Sequence, residues 1–263
     1  MILVADIGNS NTVCGVFEGQ NLLKTYRFRT EIDITADELR VLLNGLLHLD
    51  GLELGAIKAL VVASVVPPLL IVWQEFAARL NKEFCVAKPL DLGIPIELRY
   101  PSEVGIDRVL NALAAWHRYR QPLIIVDYGT ATTFDCVSAK GAYLGGAIAP
   151  GILSAAENLF RKTSMLPRIE LSSPPEEVIG RDTFAALKSG LLYGFAALTD
   201  GMVSRLAAEF PEKPRIIATG GLAPLMAQIS LTIERIEPYL TLKGLNIFYE
   251  RCRHKQNFTS PTY

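Results

Sequence analysis

Two stretches of this chain carry one pattern. "VADIGNSNTVCGVF", residues 4–17, and "IVDYGTATTFDCV", residues 125–137, each run an apolar strand into an acid, bend through Gly, Asn, Ser or Thr, and resume an apolar strand. Aligning Asp6 with Asp127 also aligns Gly8 with Gly129 and Thr12 with Thr133. A repeat over that distance implies two units of like topology, each built around its own strand-turn-strand. The 263 residues suffice for two domains. The pattern restarts at Pro122, which divides the chain into a first lobe of residues 1–118, a second of 119–255 and a frayed tail, 256–263.

Between the repeats the periodicity alternates between strand and helix. Residues 2–6, 12–18 and 22–29 predict an antiparallel meander. "TADELRVLLNGLLHLD" predicts a helix capped at Thr35, with Leu39, Leu42, Leu43, Leu46 and Leu47 on one face. "AIKALVVASVV" then reads as a strand buried on both faces, and the prolines of "PPLLIVWQEFAARL" suit the first turn of a helix. "GIDRVLNALAAWHRY" predicts another amphipathic helix. The second lobe continues with "AYLGGAIAP", a helix from Leu153 to Met165, a helix from Thr183 to Phe210 and a strand in "PRIIATGGLA". Gly190, Gly194 and Gly201 share one face of the longer helix, at a cost of about 3 kcal/mol relative to alanine unless close packing offsets it. The offset is expected from a tight helix contact, within the lobe or across a dimer.

Composition excludes several partners. Half the residues are apolar, a fifth are charged and the net charge is -1, so neither nucleic acid nor any other polyanion is expected. The apolar runs fall short of the roughly 20 residues a membrane helix needs and contain proline, so no membrane span is expected. "MILVAD" reads as a first strand and not as a targeting peptide. The four cysteines show no CxxC pair and no metal-ligand spacing with the histidines, which reads as a reduced, cytoplasmic protein. Cys14 and Cys136 read as core residues, and His48, His117 and His254 receive no chemistry.

The chemistry implied by the repeated bend is phosphate binding. Glycine at the turn lets backbone N–H groups approach an anion, and Asn or Thr side chains add donors. A carboxylate at the strand end repels phosphate unless a divalent cation intervenes, so Asp6 would orient Mg²⁺ or its waters. An ordinary hairpin with Asx bonds is the plain alternative, weakened by its second occurrence. Neither GxxxxGK[ST] nor GxGxxG is present. "TGGLA" either lets the backbone approach an adenine or ribose or makes a tight strand-to-helix turn. "GAIAPGI" either presents a helix N-terminus to phosphate or is a plain Pro-Gly helix start. Asp107 and Arg108, taken alone, could be a surface helix cap.

The duplicated hairpin resembles that of the acetate and sugar kinase, Hsp70 and actin superfamily. Within it, the chain to about Tyr249 resembles the type III pantothenate kinases through "DIGNSNT", "ASVVPP", "GIPIELRYPSEVGIDRVLNALAA", "DYGTATTFD", "YLGGAIAPGI", "IGRDTFAALKSG", "TGGLA" and "YLTLKGL". The resemblance implies an α/β, two-lobed actin-like ATPase (ribonuclease H-like) fold, with duplicated mixed β-sheet domains flanked by helices. It implies ATP-dependent phosphorylation of pantothenate to 4'-phosphopantothenate, the first step of coenzyme A synthesis, by a cytoplasmic homodimer using Mg²⁺ and a monovalent cation, K⁺ or NH₄⁺. By the same resemblance Asp6, Ile7, Gly8, Asn9, Ser10, Asn11, Thr12, Val13 and Thr130 bind ATP, and Asp107 is the catalytic base. Tyr100, Gly105, Ile106, Asp107, Arg108 and Thr183 contact pantothenate, and Asp127 holds the monovalent cation. Arg108 would meet either the substrate carboxylate or the charge developing on the phosphoryl group. Ser10, Ile106 and Asp182 stand where the family commonly has Thr, Ala and Asn. Ser10 keeps the hydroxyl, and the bulkier Ile106 is expected to tighten the substrate pocket. Two alternatives remain: a related kinase for another small hydroxyl compound, and a catalytically inert regulatory binding protein of the same fold. The three acids Asp6, Asp107 and Asp127 argue against the second.

Overall fold

Alternating apolar residues at the start of the chain build β1 (Ile2–Ile7), β2 (Asn11–Glu18) and β3 (Asn21–Arg29), an antiparallel meander as predicted. The computed structural model describes residues 1–162 and 169–258. The described chain forms two compact units that follow no single cut in the sequence. The first comprises residues 1–93, 100–114 and 240–258, and the second 94–99, 115–162 and 169–239. The first unit thus takes back the C-terminal segment that a continuous division at residue 118 assigns to the second lobe.

In the first unit the meander is followed by helix α1 (Ala36–Leu49), strand β4 (Ala59–Ser64), helix α2 (Pro67–Arg79) and strand β5 (Glu83–Val86). Thr35 caps α1 in a capping box: its hydroxyl accepts from the Glu38 N–H at 3.3 Å, and the Glu38 carboxylate accepts from the Thr35 N–H at 2.9 Å. Pro67 and Pro68 open α2, where a missing N–H costs nothing. The sheet runs β3-β2-β1-β4-β5, with β4 parallel to both β1 and β5. Leu3, Ala5, Ile7, Cys14 and Val16 bury one face against Leu39, Leu43 and Leu47 of α1 and Trp73 and Phe76 of α2. Helix α3 (Ile106–Tyr119) starts in this unit. Helix α7 (Leu240–Phe258), which closes the chain, packs on β1, β2 and β4.

The second unit repeats the plan. Strands β6 (Leu123–Tyr128), β7 (Ala131–Val137) and β8 (Tyr143–Pro150) form the meander, followed by helices α4 (Ile152–Lys162) and α5 (Thr183–Ala207). Strand β9 (Arg215–Gly220), helix α6 (Ala223–Met226) and strand β10 (Arg235–Ile236) complete it. The order is β8-β7-β6-β9-β10, the same topology as the first sheet. Ile124, Val126, Phe134, Ile216 and Ala218 of the strands pack against Leu192, Ala196 and Val203 of α5. No helix among the described residues is long and apolar enough to cross a membrane.

Three expectations change. Residues 163–165 of the helix predicted to reach Met165 lie outside the described residues, as do residues 259–263 of the predicted tail, but α7 itself continues to Phe258 where fraying was expected. Helix α5 ends at Ala207, three residues short of Phe210. Its glycines make no tight contact among the described residues of the unit: none of their atoms lies within 4 Å of a Cβ placed at Gly190 or Gly194, and at Gly201 the neighbour is the flexible end of Arg205.

Candidate functional site

The two hairpins differ by one residue. In the first, Asp6 pairs with Val13 and Ile7 with Thr12, and the Gly8 N–H closes the loop on the Asn11 carbonyl at 3.1 Å. In the second, Asp127 pairs with Thr133 and Tyr128 with Thr132, and the Gly129 N–H bonds the Ala131 carbonyl at 3.0 Å. Because side chains alternate along a strand, one extra loop residue moves every later side chain to the other face. Thr12 and Thr133 align in sequence but not in space: the spatial counterpart of the buried Thr12 is the buried Thr132, and Thr133 takes the place of Val13.

The first hairpin presents Asp6, half-buried at its strand end, above an exposed bend of Asn9 and Ser10. Ile7 is in the core and Thr12 is 2% exposed, so these two side chains build the loop from below. The Thr12 hydroxyl lies 3.0 Å from that of Thr30, which donates to the Gly8 carbonyl at 2.8 Å, while the Thr30 N–H bonds the Ser10 carbonyl at 3.1 Å. Thr30 thus braces the bend at two points. No local pattern in the sequence announces it, since its partners lie about twenty residues earlier. Beside Asp6, Cys14 is buried; burial first, and the Asp6 charge second, push its thiol far above the ordinary range, which leaves it an inert core group.

In the second hairpin Asp127 stands in a row of oxygens. Thr133 on β7 and Thr219 on β9 are its register partners on either side. The Thr133 hydroxyl donates to Asp135 at 3.2 Å, and the other oxygen of that buried carboxylate accepts from the Tyr143 hydroxyl at 2.8 Å. Gly220 of "TGGLA" has φ +90, and a Cβ there would stand 2.5 Å from a carboxylate oxygen of Asp127 and 2.6 Å from the Tyr128 carbonyl. That glycine therefore clears space for Asp127 at a backbone conformation other residues rarely adopt. Thr130, exposed in the bend, has its carbonyl held by the Ser154 hydroxyl at 2.9 Å, so the "GAIAPGI" helix start supports this loop.

Around α3, Asp107 is the second residue of the helix and not its cap. Its carboxylate lies back over Gly105, 2.5 Å from where a Cβ at that residue would stand. Arg108 is half-buried beside it, and Tyr100 is 60% exposed at the start of a single 3₁₀ turn. Ile106, the first residue of the helix, is 6% exposed. In the second unit, Thr183 is the exposed first residue of α5, and Asp182 is its N-cap, accepting from the Ala185 N–H at 2.7 Å. Asp and Asn cap helices about equally well, which accounts for the acid at that position. Asp6 to Val13, Tyr100 and Gly105 to Arg108 thus belong to the first unit, and Asp127, Thr130 and Thr183 to the second.

Comparison with known proteins gives the family and the fold. A family model described as type III pantothenate kinase matches residues 2–205. A type III pantothenate kinase of Desulfatibacillum aliphaticivorans is 47% identical over 253 residues, covering 95% of this chain and 98% of that protein. One from Geobacter sulfurreducens is 46% identical over 255 residues, covering 96% and 100%. Among solved structures, the activator of 2-hydroxyisocaproyl-CoA dehydratase from Clostridium difficile with bound ADPNP matches with a TM-score of 0.56 at 14% identity, covering 100% of this chain and 99% of that one. The inorganic polyphosphate/ATP-glucomannokinase from Arthrobacter sp. strain KM matches at 0.50 and 15% identity, covering 96% and 98%. At such identities the likeness is one of fold: duplicated mixed sheets flanked by helices, as in actin-like ATPases and sugar kinases. Family model and relatives alike span the greater part of the chain, and the chain belongs to the type III pantothenate kinase family.

Proposed function

We propose that this protein transfers the γ-phosphoryl group of ATP to the terminal hydroxyl of pantothenate, the first committed chemistry of coenzyme A synthesis, in the cytoplasm and as a homodimer. The observation that carries the reading is the pairing of family membership with an acid, Asp107, held at the start of α3 with its carboxylate turned over Gly105. Phosphoryl transfer asks chiefly for alignment and charge neutralisation, so a well-placed carboxylate can hold the substrate hydroxyl and accept its proton late.

Asp6 to Val13 offers backbone N–H groups and the Asn9, Ser10 and Asn11 side chains to nucleotide phosphate, with Thr130 serving from the second hairpin. Asp6 suits Mg²⁺. No group of three or more His, Cys, Asp or Glu gathers among the described residues, so the ion would be shared between this carboxylate and the nucleotide's own oxygens. When bound, Mg²⁺ would neutralise charge on the transferring phosphates. Asp127 suits a monovalent cation, since Thr133 and Thr219 flank it with further oxygens. Tyr100, Gly105, Ile106, Arg108 and Thr183 are assigned to pantothenate, Ile106 through its backbone, with Arg108 serving the substrate carboxylate or the transferring group.

The test is ATP-dependent formation of phosphopantothenate, with and without K⁺, for the wild type and Asp107→Asn. The expected loss in kcat for the variant is about 10²–10³-fold. A wild type inactive under saturating ATP with either K⁺ or NH₄⁺ sinks the kinase reading; an unimpaired variant sinks only the role of Asp107.

A further inference from the structure

We propose that the first turns of α7, Thr241 to Gly244 within "YLTLKGL", are a positioning element for the catalytic helix α3, setting where Asp107 stands relative to the first phosphate hairpin. The inference rests on the reading of Asp107 as base. Gly244 lies against the backbone of Leu110. A Cβ at 244 would stand 2.5 Å from the Leu110 carbonyl oxygen, 2.9 Å from its carbon and 3.0 Å from its Cβ. Real Cβ atoms do not sit that close to backbone, so any side chain at 244 drives the two helices apart. One residue further along α3, Asn111 is 1% exposed and accepts from the Thr241 hydroxyl at 2.9 Å. Leu110 and Asn111 lie three and four residues after Asp107, one helical turn beneath it on the same side. Steric contact and hydrogen bond together fix how far α3 slides along α7.

The same helix reaches the hairpin's second strand. Leu242 is 1% exposed, and its Cδ1 would stand 3.0 Å from a Cβ at Gly15 of β2. The Asn246 side-chain amide donates to the Gly19 carbonyl at 3.0 Å in the turn that follows β2. Asp107 and the bend from Asp6 to Val13 are thus referenced to one helix, and all these contacts belong to the first unit. Reacting groups displaced by about 1 Å can lose about 10²-fold in rate, so a helix that sets this spacing affects kcat without touching substrate.

The experiment measures kcat and both KM values for the full chain carrying Thr241→Val, Thr241→Ser, Gly244→Ala, Asp107→Asn and the Thr241→Val/Asp107→Asn pair. Thr241→Val is expected to lower kcat about tenfold, with KM for ATP and pantothenate moving less than about twofold, and Thr241→Ser to recover most of the loss. Gly244→Ala is expected to cost about 30-fold in kcat; should it fail to fold, Thr241→Val carries the test alone. On Asp107→Asn, Thr241→Val is expected to add nothing, since residues acting through one group are non-additive. If Asp107→Asn is crippled and Thr241→Val multiplies its loss, the positioning role is overturned while the base stands. An Asp107→Asn enzyme at the wild-type kcat overturns the base and, with it, the positioning of a base. Thr241→Val that lowers only the melting temperature, at unchanged kcat, also overturns the proposal.

Discussion

The two hairpins arise from one repeated pattern, yet the acids at their strand ends have opposite neighbours. Asp6 lies between Val13 and Ala63 in its sheet, and Asp127 between Thr133 and Thr219. A carboxylate whose register neighbours are apolar suits a ligand that brings its own oxygens, such as a hydrated divalent ion on a nucleotide. A carboxylate flanked by hydroxyls suits a cation stripped of part of its water. On the hairpin side the difference comes from a single loop residue acting through the two-residue period of the strand, whereas on the other side it is a change of residue, Ala63 against Thr219. Duplication supplied two similar bends, and loop length and one neighbouring position together give their acids different surroundings.

The largest effect is expected where the second hairpin is least tolerant. Gly220→Ala puts a methyl group on the Asp127 carboxylate and the Tyr128 carbonyl at a positive φ. It should cost about 3 kcal/mol in denaturant unfolding and remove most K⁺-dependent activity. The hydroxyl of its counterpart, Ser64, bonds within its own turn, accepting from the Val66 N–H at 2.9 Å and donating to the Val66 carbonyl at 3.0 Å. Ser64→Ala should cost about 1 kcal/mol. Equal costs at the two positions would break the comparison. Next, Thr133→Val gives the second hairpin the neighbour that the first one has. The K⁺ concentration for half-maximal activation should rise about tenfold, equivalent to about 1.4 kcal/mol, with KM for ATP little changed. A titration in K⁺ at saturating substrates measures it, and an unchanged midpoint removes Thr133 from the cation's surroundings.

How much of this was legible in the sequence depended on range. The meander, the Thr35 capping box, the proline-led α2 and the duplication are set by neighbours in the chain, so periodicity and turn residues reveal them. Aligning Thr12 with Thr133 was reasonable by spacing and misleading in space, because sequence alignment counts residues whereas a sheet counts faces. Thr30 and the α7 contacts at Gly244 and Thr241 were out of reach, since each joins segments far apart in the chain. Gly220 was visible as a turn glycine. That its cleared space serves Asp127 emerged only once β6 and β9 were paired.

The buried threonines of the two hairpins give a finer contrast. Thr12 is bonded to Thr30, which holds the Gly8 carbonyl, whereas the Thr132 hydroxyl is buried without a hydrogen-bond partner among the described residues. Removing the Thr12 hydroxyl strips Thr30 of one of its two side-chain hydrogen bonds, and removing an orphaned hydroxyl relieves a desolvation penalty. Thr12→Val should therefore cost about 1 kcal/mol and Thr132→Val should be neutral or slightly stabilising, by urea unfolding of each. The opposite order would mean that the hairpin loops, and not their side-chain bonds, carry the difference.

The smallest expected effect concerns the strand that flanks Asp127. Thr219 and Gly220 end β9, whose outer neighbour β10 follows a loop tied to Asp200 of α5. The Asp200 carboxylate accepts from the Ser230 hydroxyl at 2.6 Å, the Thr232 hydroxyl at 2.7 Å and the Leu231 N–H at 3.0 Å. Burial alone would raise this carboxyl, but the donors together outweigh it and hold it below the ordinary value of 3.8. Its contribution to stability is therefore present in full above the unfolded value and fades as pH falls through the folded one. Part of it is screened by solvent, so no more than about 1 kcal/mol should be lost below about pH 4. Asp200→Asn should lack that portion of the acid limb in unfolding measured from about pH 6 to 2, while the first unit's strands, which do not depend on this tie, respond alike in both proteins. Superimposable acid limbs would show that the loop before β10 does not lean on this charge, and that the second hairpin's flank is held by its strand pairing alone.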